Sequence, residues 1–199
     1  MEAAAEQRKR LTPEEYLAIE REAEWKSEYY QGEMFAMAGG SEAHSLIAVN
    51  FGGELRGALR SKPCRVYNSD LRVQVNEAGL YTYPDLSIVC GESVFAEESK
   101  DNLLNPVVIV EILSPSTEAY DRGKKFDLYQ QLASLKQYIV VAQERVSVTS
   151  YLRNGDDETW TMRSYWRLED SLAIPACGVA IPLEEIYRDV PNLEFLPLH

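Results

Sequence analysis

The stretch that decides the fold is residues 105–132, NPVVIVEILSPSTEAYDRGKKFDLYQQL. Its first part, residues 106–113, is a nearly unbroken apolar run, which is typical of a strand buried on both faces. A turn-rich segment follows, residues 121–133 then show helical spacing, and residues 137–142 form another apolar run. A strand, a helix and a second strand in this order predict an α/β protein.

Glu111 is the only charged residue in the first apolar run. A carboxylate buried there is costly unless it is paired, protonated or bound to a cation. Asp85 precedes another apolar run, residues 86–90, and the two carboxylates converge if the two strands are adjacent. Such a pair suits Mg²⁺, which commonly takes one or two carboxylates and keeps several waters. The alternatives are a Glu111 satisfied by neighbouring donors and an Asp85 in an ordinary Pro-Asp turn.

Two lysines, Lys124 and Lys125, open the predicted helix. Helical spacing predicts that Lys125 points towards the sheet and Lys124 towards solvent. The residues that share the face of Lys125 are Leu128, Tyr129 and Leu132. An ammonium group beside a metal ion would orient the attacking water or stabilise charge on a phosphate in the transition state.

His44 and Asp70 are candidates for supporting roles. His44 lies on the apolar face of a helix predicted from Ser41 to Arg60, where a histidine serves either as an acid or base or as a hydrogen-bonded core residue. Asp70 begins a strand-like run and is either a turn residue or a third acid beside the metal.

The whole chain, residues 1–199, is predicted to form one domain with a frayed segment at residues 1–10. Capping and turn residues mark the remaining elements. These are a helix that begins with a Thr12–Glu15 capping box and ends near Lys26, a hairpin that turns at Gln31-Gly32, strand-like runs at residues 65–75 and 81–90, a hairpin that turns at residues 154–156, and a short helix at residues 183–187.

The composition excludes several classes of protein. No apolar run approaches the ~20 residues of a membrane span, and no secretory signal is recognisable, so a cytoplasmic protein is expected. The net charge of −12 argues against broad, sequence-independent wrapping of nucleic acid. Nucleotide-binding glycine motifs, the zinc-protease motif HExxH and the serine-hydrolase motif GxSxG are absent. The two histidines of the chain exclude a histidine-rich metal site.

The three cysteines are Cys64, Cys90 and Cys177. They are far apart and odd in number, and no CxxC spacing occurs. The spacing therefore predicts neither a zinc knuckle nor a disulfide framework. Cys90, at the end of a strand-like run, is expected to be a small buried hydrophobic residue.

Three segments together resemble the Uma2 family of restriction endonucleases (DUF820), which belongs to the PD-(D/E)xK nuclease superfamily. They are EYYQGEMFAMAGGSEAHS, TYPDLSIVCGE and LLNPVVIVEILSPSTEAYDRGKKFDLYQQLASLKQYIVV. The resemblance implies a mixed-sheet α-β-β-β-α-β core with an N-terminal helix and hairpin and a C-terminal β-hairpin added. It also implies that Asp85 and Glu111 are metal ligands. The superfamily lysine belongs two residues after the acid, where this chain has Leu113, and the family pattern suggests that Lys125 replaces it.

The resulting hypothesis is a DNA endonuclease dependent on Mg²⁺ or Mn²⁺, in which Asp85, Glu111 and the backbone carbonyl of Ile112 hold the ion and Lys125 assists. The rival hypothesis is a nuclease-fold module that binds nucleic acid or assembles without catalysis, which the net charge and Leu113 favour. RNA is an alternative substrate. Because members of the superfamily are often dimers, a homodimer is expected.

Overall fold

The computed structural model describes residues 10–75, 79–97, 100–155 and 159–195. The predicted frayed segment, residues 1–10, lies outside this part of the chain except for Arg10. The helices are α1 (Pro13–Glu22), α2 (Glu42–Ala58), α3 (Glu118–Arg122), α4 (Lys124–Tyr129) and α5 (Leu183–Ile186). The strands are β1 (Ser27–Tyr30), β2 (Glu33–Ala36), β3 (Cys64–Asn68), β4 (Arg72–Val75), β5 (Leu80–Thr82), β6 (Leu86–Cys90), β7 (Asn102–Leu103), β8 (Val108–Leu113), β9 (Gln137–Ala142), β10 (Val148–Arg153), β11 (Trp160–Tyr165), β12 (Ser171–Ile174) and β13 (Val179–Pro182).

A six-stranded mixed sheet forms the centre of the molecule, with the strand order β11-β10-β9-β8-β6-β3. The central strands β8 and β9 run parallel, whereas β6 is antiparallel to both β8 and β3. Along the chain, α2, β3, β6, β8, the pair α3–α4 and β9 follow one another. This order confirms the predicted α-β-β-β-α-β core.

The two faces of β8 enter different parts of the core. Val108, Val110 and Ile112 pack with apolar residues of α2, while Ile109 and Leu113 pack with apolar residues of α4 and of a second sheet. Since side chains alternate along a strand, Glu111 shares its face with Ile109 and Leu113. The buried carboxylate is therefore directed to the side of the sheet that α4 covers.

The second sheet was not predicted. It has five strands in the order β2-β1-β5-β4-β7. The predicted runs at residues 65–75 and 81–90 are each divided between the two sheets, because β3 and β6 belong to the large sheet and β4 and β5 to the second. The second run is interrupted at Pro84, which lacks the N–H group that a sheet interior requires. Asp85 therefore lies where the chain passes from one sheet to the other.

Several local predictions are confirmed. The Thr12–Glu15 capping box is present, Ser41 caps α2 by accepting a hydrogen bond from the backbone N–H of His44 at 3.1 Å, and the first hairpin turns at Gln31-Gly32. Strand β9 has the predicted bounds, and a short helix begins at Leu183 as expected.

Two predicted helices are shorter than expected. Helix α1 ends at Glu22 rather than near Lys26. The predicted helix at residues 121–133 is divided into α3 and α4 at Gly123 and ends at Tyr129. At Gly123 a β-carbon would meet the carbonyl oxygen of Ala119 at 3.1 Å, so the close turn between the two helices favours glycine.

The C-terminal third contains more strands than the predicted hairpin. Strands β10 and β11 form that hairpin and extend the large sheet, although Asp156 of the predicted turn lies outside the described residues. Strands β12 and β13 form a separate two-stranded sheet. Every helix among the described residues is too short or too polar to span a bilayer.

The cysteine prediction was wrong. Cys64 and Cys90 stand opposite each other in the β3–β6 pair and form a disulfide bond. The bond joins residues 26 positions apart, and only the pairing register of the two strands brings them together. Cys90 is half-buried, while the free Cys177 is the buried cysteine.

Candidate active site

Asp85 and Glu111 converge at one edge of the large sheet. The register of β6 and β8 pairs Leu86 with Val110, so its continuation places Asp85 opposite Glu111. The backbone hydrogen bonds between the two strands end there. The backbone N–H of Ile112 donates instead to the Asp85 carboxylate, at 2.7 Å. The predicted convergence of the two carboxylates is thus present.

Lys125 joins these acids from α4. Its Nζ lies 2.9 Å from Oε1 of Glu111 and 2.8 Å from Oε1 of Glu28, and its side chain is only 6% exposed. Lys124 is exposed and lies over the ring of Tyr30, with Nζ 4.4 Å from the ring centre. The predicted directions of the two lysines are confirmed.

Two acids of the site were missed in the sequence. Asp121 lies 3.6 Å from Lys125 Nζ, one helical turn before it, and this i, i+4 spacing was a signal that the sequence offered. Glu28 comes from β1 in the second sheet, where its Oε1 also accepts a hydrogen bond from the hydroxyl of Thr82. No local pattern marks Glu28, because its approach to the site depends on how the two sheets pack.

Burial and mutual repulsion perturb the charges of this cluster. Burial, reinforced by Asp121, Asp85 and Glu28, raises the pKa of Glu111 to about 8 although Lys125 opposes the shift. Burial also raises the pKa of Asp121. Burial alone would lower the pKa of Lys125, but the surrounding carboxylates raise it well above the ordinary lysine value. Negative charge therefore exceeds what one ammonium group can neutralise, which favours a further cation.

Two further side chains, Tyr129 and His44, contact the carboxylates. The buried hydroxyl of Tyr129 donates to Oε1 of Glu111 at 2.8 Å. On the other acid, Nε2 of His44 lies 3.2 Å from Oδ1 of Asp85. This hydrogen bond raises the pKa of His44, partly against the effect of burial. The structure therefore places His44 beside the candidate site, as a partner of Asp85.

Asp70 lies elsewhere. Its side chain is 74% exposed and pairs with Lys26, with Oδ1 and Nζ 2.5 Å apart. Its other oxygen accepts a hydrogen bond from Asn68 within the turn between β3 and β4. The structure does not bring Asp70 together with the acidic cluster, because the exposed turn before β4 directs it to Lys26 and Asn68.

The donor set suits a small divalent cation that prefers oxygen. Asp85 keeps acceptor capacity, and so would Glu111 once a cation displaced its proton, because an ionised carboxylate offers about four lone-pair sites. The backbone N–H of Ile112 points to Asp85, and in an extended strand the carbonyl of the same residue lies on that same edge. The residues that fit Mg²⁺ are therefore Asp85, Glu111 and the Ile112 carbonyl.

Comparison with known proteins agrees with this architecture. The profile of the Uma2 family, described as "Putative restriction endonuclease", matches residues 13–184. The uncharacterised protein slr1290 of Synechocystis sp. is 38% identical over 179 residues, which cover 90% of this chain and 92% of that protein. A second uncharacterised Synechocystis protein, sll1609, is 33% identical over 146 residues, which cover 73% of this chain and 82% of its own.

A crystal structure from Anabaena variabilis, titled as a "putative nuclease belonging to DUF820", has the same fold. It superposes with a TM-score of 0.73 at 17% sequence identity, covering 89% of this chain and 97% of the other. The predicted nuclease-type α/β fold is confirmed by this similarity. With the family profile spanning most of its length, the chain belongs to the Uma2 family.

Proposed function

We propose that this chain is a Mg²⁺-dependent endonuclease that hydrolyses phosphodiester bonds in DNA. The observation that carries the proposal is the convergence of Asp85 and Glu111 beside the buried ammonium group of Lys125, 2.9 Å from Glu111. Phosphodiester hydrolysis by metal-activated water requires hard oxygen ligands and a cationic group close to one another. Membership of a family described as restriction endonucleases supports the choice of substrate.

Asp85, Glu111 and the Ile112 carbonyl would hold the ion. Once bound, Mg²⁺ supplies an acidified water and stabilises negative charge on the phosphate. Mn²⁺ would be held by the same oxygen atoms. Three of the four carboxylates in the cluster, Glu28, Glu111 and Asp121, also surround Lys125, so the ion and the lysine would share the negative charge.

Lys125 would act where the superfamily lysine acts. Leu113, at the expected position of that lysine, is buried among apolar side chains and contributes no charge. Lys125 reaches Glu111 from α4 instead, and Glu28 and Asp121 anchor its ammonium group. An ammonium group fixed in this way orients a water molecule or stabilises the developing charge on the phosphate.

His44 and Tyr129 would serve as positioning residues. His44 approaches one oxygen of Asp85 while the Ile112 N–H binds the other, so the carboxylate is held in one orientation. Tyr129 holds Glu111 in the same manner. Both residues therefore reduce the rearrangement that metal binding requires.

The decisive experiment is cleavage of supercoiled plasmid DNA by the wild type and by Glu111→Gln, Asp85→Asn and Lys124→Met. We expect nicking in Mg²⁺ or Mn²⁺, none in EDTA, and a loss of about 10²–10³-fold in rate for either acid variant. Lys124→Met, beside Lys125 but directed to solvent, should retain full activity. A folded Glu111→Gln variant that cleaves as fast as the wild type would refute the assignment.

The rival function is a module that binds nucleic acid without cutting it. Leu113 and the net charge of −12 favour it. Such a module would bind a short duplex equally well with Mg²⁺ and with EDTA, and would leave the plasmid intact. Cleavage of an RNA substrate in preference to DNA would keep the proposed chemistry and correct the substrate. Homodimer formation stays a prediction, to be measured by light scattering.

A further inference from the structure

All three cysteines of the chain meet at the C-terminal end of β6, the end farthest from Asp85. Cys64 begins β3 and Cys90 ends β6, directly across from it. Cys177 arrives from a 3₁₀ turn, Pro175–Cys177, which follows β12. Its Sγ lies 3.8 Å from Sγ of Cys90, and all three sulfur atoms lie within 4.8 Å of one another. Three elements distant in sequence thus deliver one sulfur atom each to a single point.

The separation of the Cys90 and Cys177 sulfur atoms matches that of two thiolates on one metal ion. Two thiolates on a tetrahedral Zn²⁺, each at a Zn–S distance of 2.3 Å, lie about 3.8 Å apart. Cys90 and Cys177 already have this separation. In-line attack of Cys177 on the disulfide would instead place Cys177 about 5.8 Å from Cys64. Cys177 is therefore not placed for direct thiol–disulfide exchange. Once the Cys64–Cys90 bond is reduced, its two sulfur atoms can separate to the spacing that a shared ion requires.

A cation lies close to the cysteine cluster. Nζ of Lys62 lies beside Gly178, where an added β-carbon would approach it to 3.2 Å. Burial raises the pKa of the Cys177 thiol, and the charge of Lys62 opposes that shift. Three thiolates and one divalent ion carry a net charge of −1, which the lysine offsets. A surface cavity of about 490 Å³, lined by residues that include Lys62, Cys64 and Arg65, gives an ion and water access to the cluster.

We propose that the reduced protein binds one Zn²⁺ through the thiolates of Cys64, Cys90 and Cys177, with the fourth position open to solvent. Reduction of the Cys64–Cys90 bond by a dithiol transfers two electrons to the two sulfur atoms and leaves the reductant as a disulfide. Zn²⁺ then displaces the thiol protons as three Zn–S bonds form. The site is independent of the acidic cluster, since the five residues of β6 separate the two by about 16 Å.

The test is a titration of the full-length protein with Zn²⁺ and Co²⁺ after anaerobic reduction and removal of the reductant. We expect the reduced protein to bind one equivalent per chain more than the oxidised protein, in competition with a chelating dye. We also expect release of protons and the thiolate-to-metal absorption of a tetrahedral Co²⁺ site. The oxidised protein should show neither that absorption nor competition at this site. A disulfide that resists reduction in the folded protein would overturn the proposal.

Two variants give the titration its specificity. Cys177→Ser should weaken binding by at least about 100-fold, the upper end of what losing even an outer-shell partner costs. Glu111→Gln, which alters only the acidic cluster, should leave the Co²⁺ absorption unchanged. Circular dichroism would verify that both variants fold. A Cys177→Ser protein that binds Zn²⁺ as tightly as the wild type, or a reduced wild type that binds no more Zn²⁺ than the oxidised protein, would refute the site.

Discussion

The two ends of β6 gather different ligand atoms. At the start of the strand, Asp85 meets Glu111 and the ammonium group of Lys125, so that oxygen atoms and charges dominate. At its end, the disulfide-bonded Cys64 and Cys90 meet the free Cys177, so that sulfur atoms dominate. One five-residue strand therefore separates a region suited to hard cations from one suited to soft cations.

The two ends are also stabilised by different forces. The end of β6 at Asp85, here called the oxygen end, depends on a balance of buried charges. Removing one charged partner there leaves the other buried without compensation, which destabilises the folded protein. The end at Cys90, here called the sulfur end, depends on the disulfide bond between two adjacent strands. This bond stabilises the protein mainly by restricting the unfolded chain. Removal of a charge and reduction of a disulfide should consequently perturb one end each.

The largest loss of stability is expected for Lys125→Met. The substitution leaves Glu28, Glu111 and Asp121 without their common cation, and breaking a buried ion pair in this way costs about 3–5 kcal/mol. We expect a loss at the upper end of this range in the free energy of unfolding, measured by urea denaturation at pH 8. Lys124→Met, on the exposed face of the same turn, should change it by less than about 0.5 kcal/mol. Equal losses would show that Lys125 is not the cation on which the acids depend.

The pH dependence of stability should reveal Glu111. Its pKa is about 8 in the folded protein against an ordinary value of 4.5, so the folded state binds one more proton between these limits. The free energy of unfolding should therefore decrease as the pH rises from about 4.5 to about 8, by on the order of 3–4 kcal/mol from this residue.

Glu111→Gln tests this assignment in metal-free buffer. The variant should remove most of the decrease between pH 5 and 8, and so be more stable than the wild type at the alkaline end. Glu118→Gln is the matched control, because hydrogen bonds from Arg122 and charges nearby lower the pKa of Glu118. The stability from Glu118 is lost only as the pH falls below 4.5, outside the measured range. If the free energy of unfolding of Glu111→Gln still decreased between pH 5 and 8, another acid would be the cause of the decrease.

Reduction should act on the sulfur end alone. Opening a bond that closes a loop of 26 positions costs about 3.5 kcal/mol in the chain-entropy account. We expect this decrease in the free energy of unfolding in the presence of a reductant, and none in a Cys64→Ser/Cys90→Ser double variant. Plasmid cleavage in Mg²⁺ should keep its rate. A parallel loss of cleavage would show that the two ends of β6 are coupled.

The contrast between the ends also explains what the sequence could predict. Glu111 stood out because one charge interrupts an apolar strand, and Lys125 because helical spacing directs it to the sheet. Both signals are local. The core order of helices and strands followed from similar local patterns, as the bounds of β9 illustrate.

What could not be predicted depends on pairing between distant segments. Glu28 reaches Lys125 across 97 positions, through a second sheet made of strands of two to four residues that carry weak local signals. Cys90 and Cys177 are 87 positions apart. Sequence spacing alone does not supply the register of β3 against β6 or the position of a 3₁₀ turn. No local sequence pattern therefore predicts that the cysteines converge.

The smallest change in stability is expected from the contact between His44 and Asp85. Asp85 raises the pKa of His44 by hydrogen bonding and charge, so Asp85→Asn should lower it towards the ordinary value of 6.5. Asparagine still offers an oxygen to the Ile112 N–H, which keeps the backbone contact. The stability from the raised pKa is fully present below pH 6.5 and is lost as the pH rises through the folded value, a change below about 1 kcal/mol for a partly exposed pair.

Proton NMR of the imidazole rings would measure this pKa directly. His199 is the only other histidine in the chain, so only two sets of imidazole signals have to be assigned. If His44 keeps its raised pKa in that variant, the charge of Asp121 becomes the source, since it acts on His44 in the same direction. Asp121→Asn would then produce the decrease instead, and His44 would be a sensor of the charge around Lys125 rather than the residue that positions Asp85.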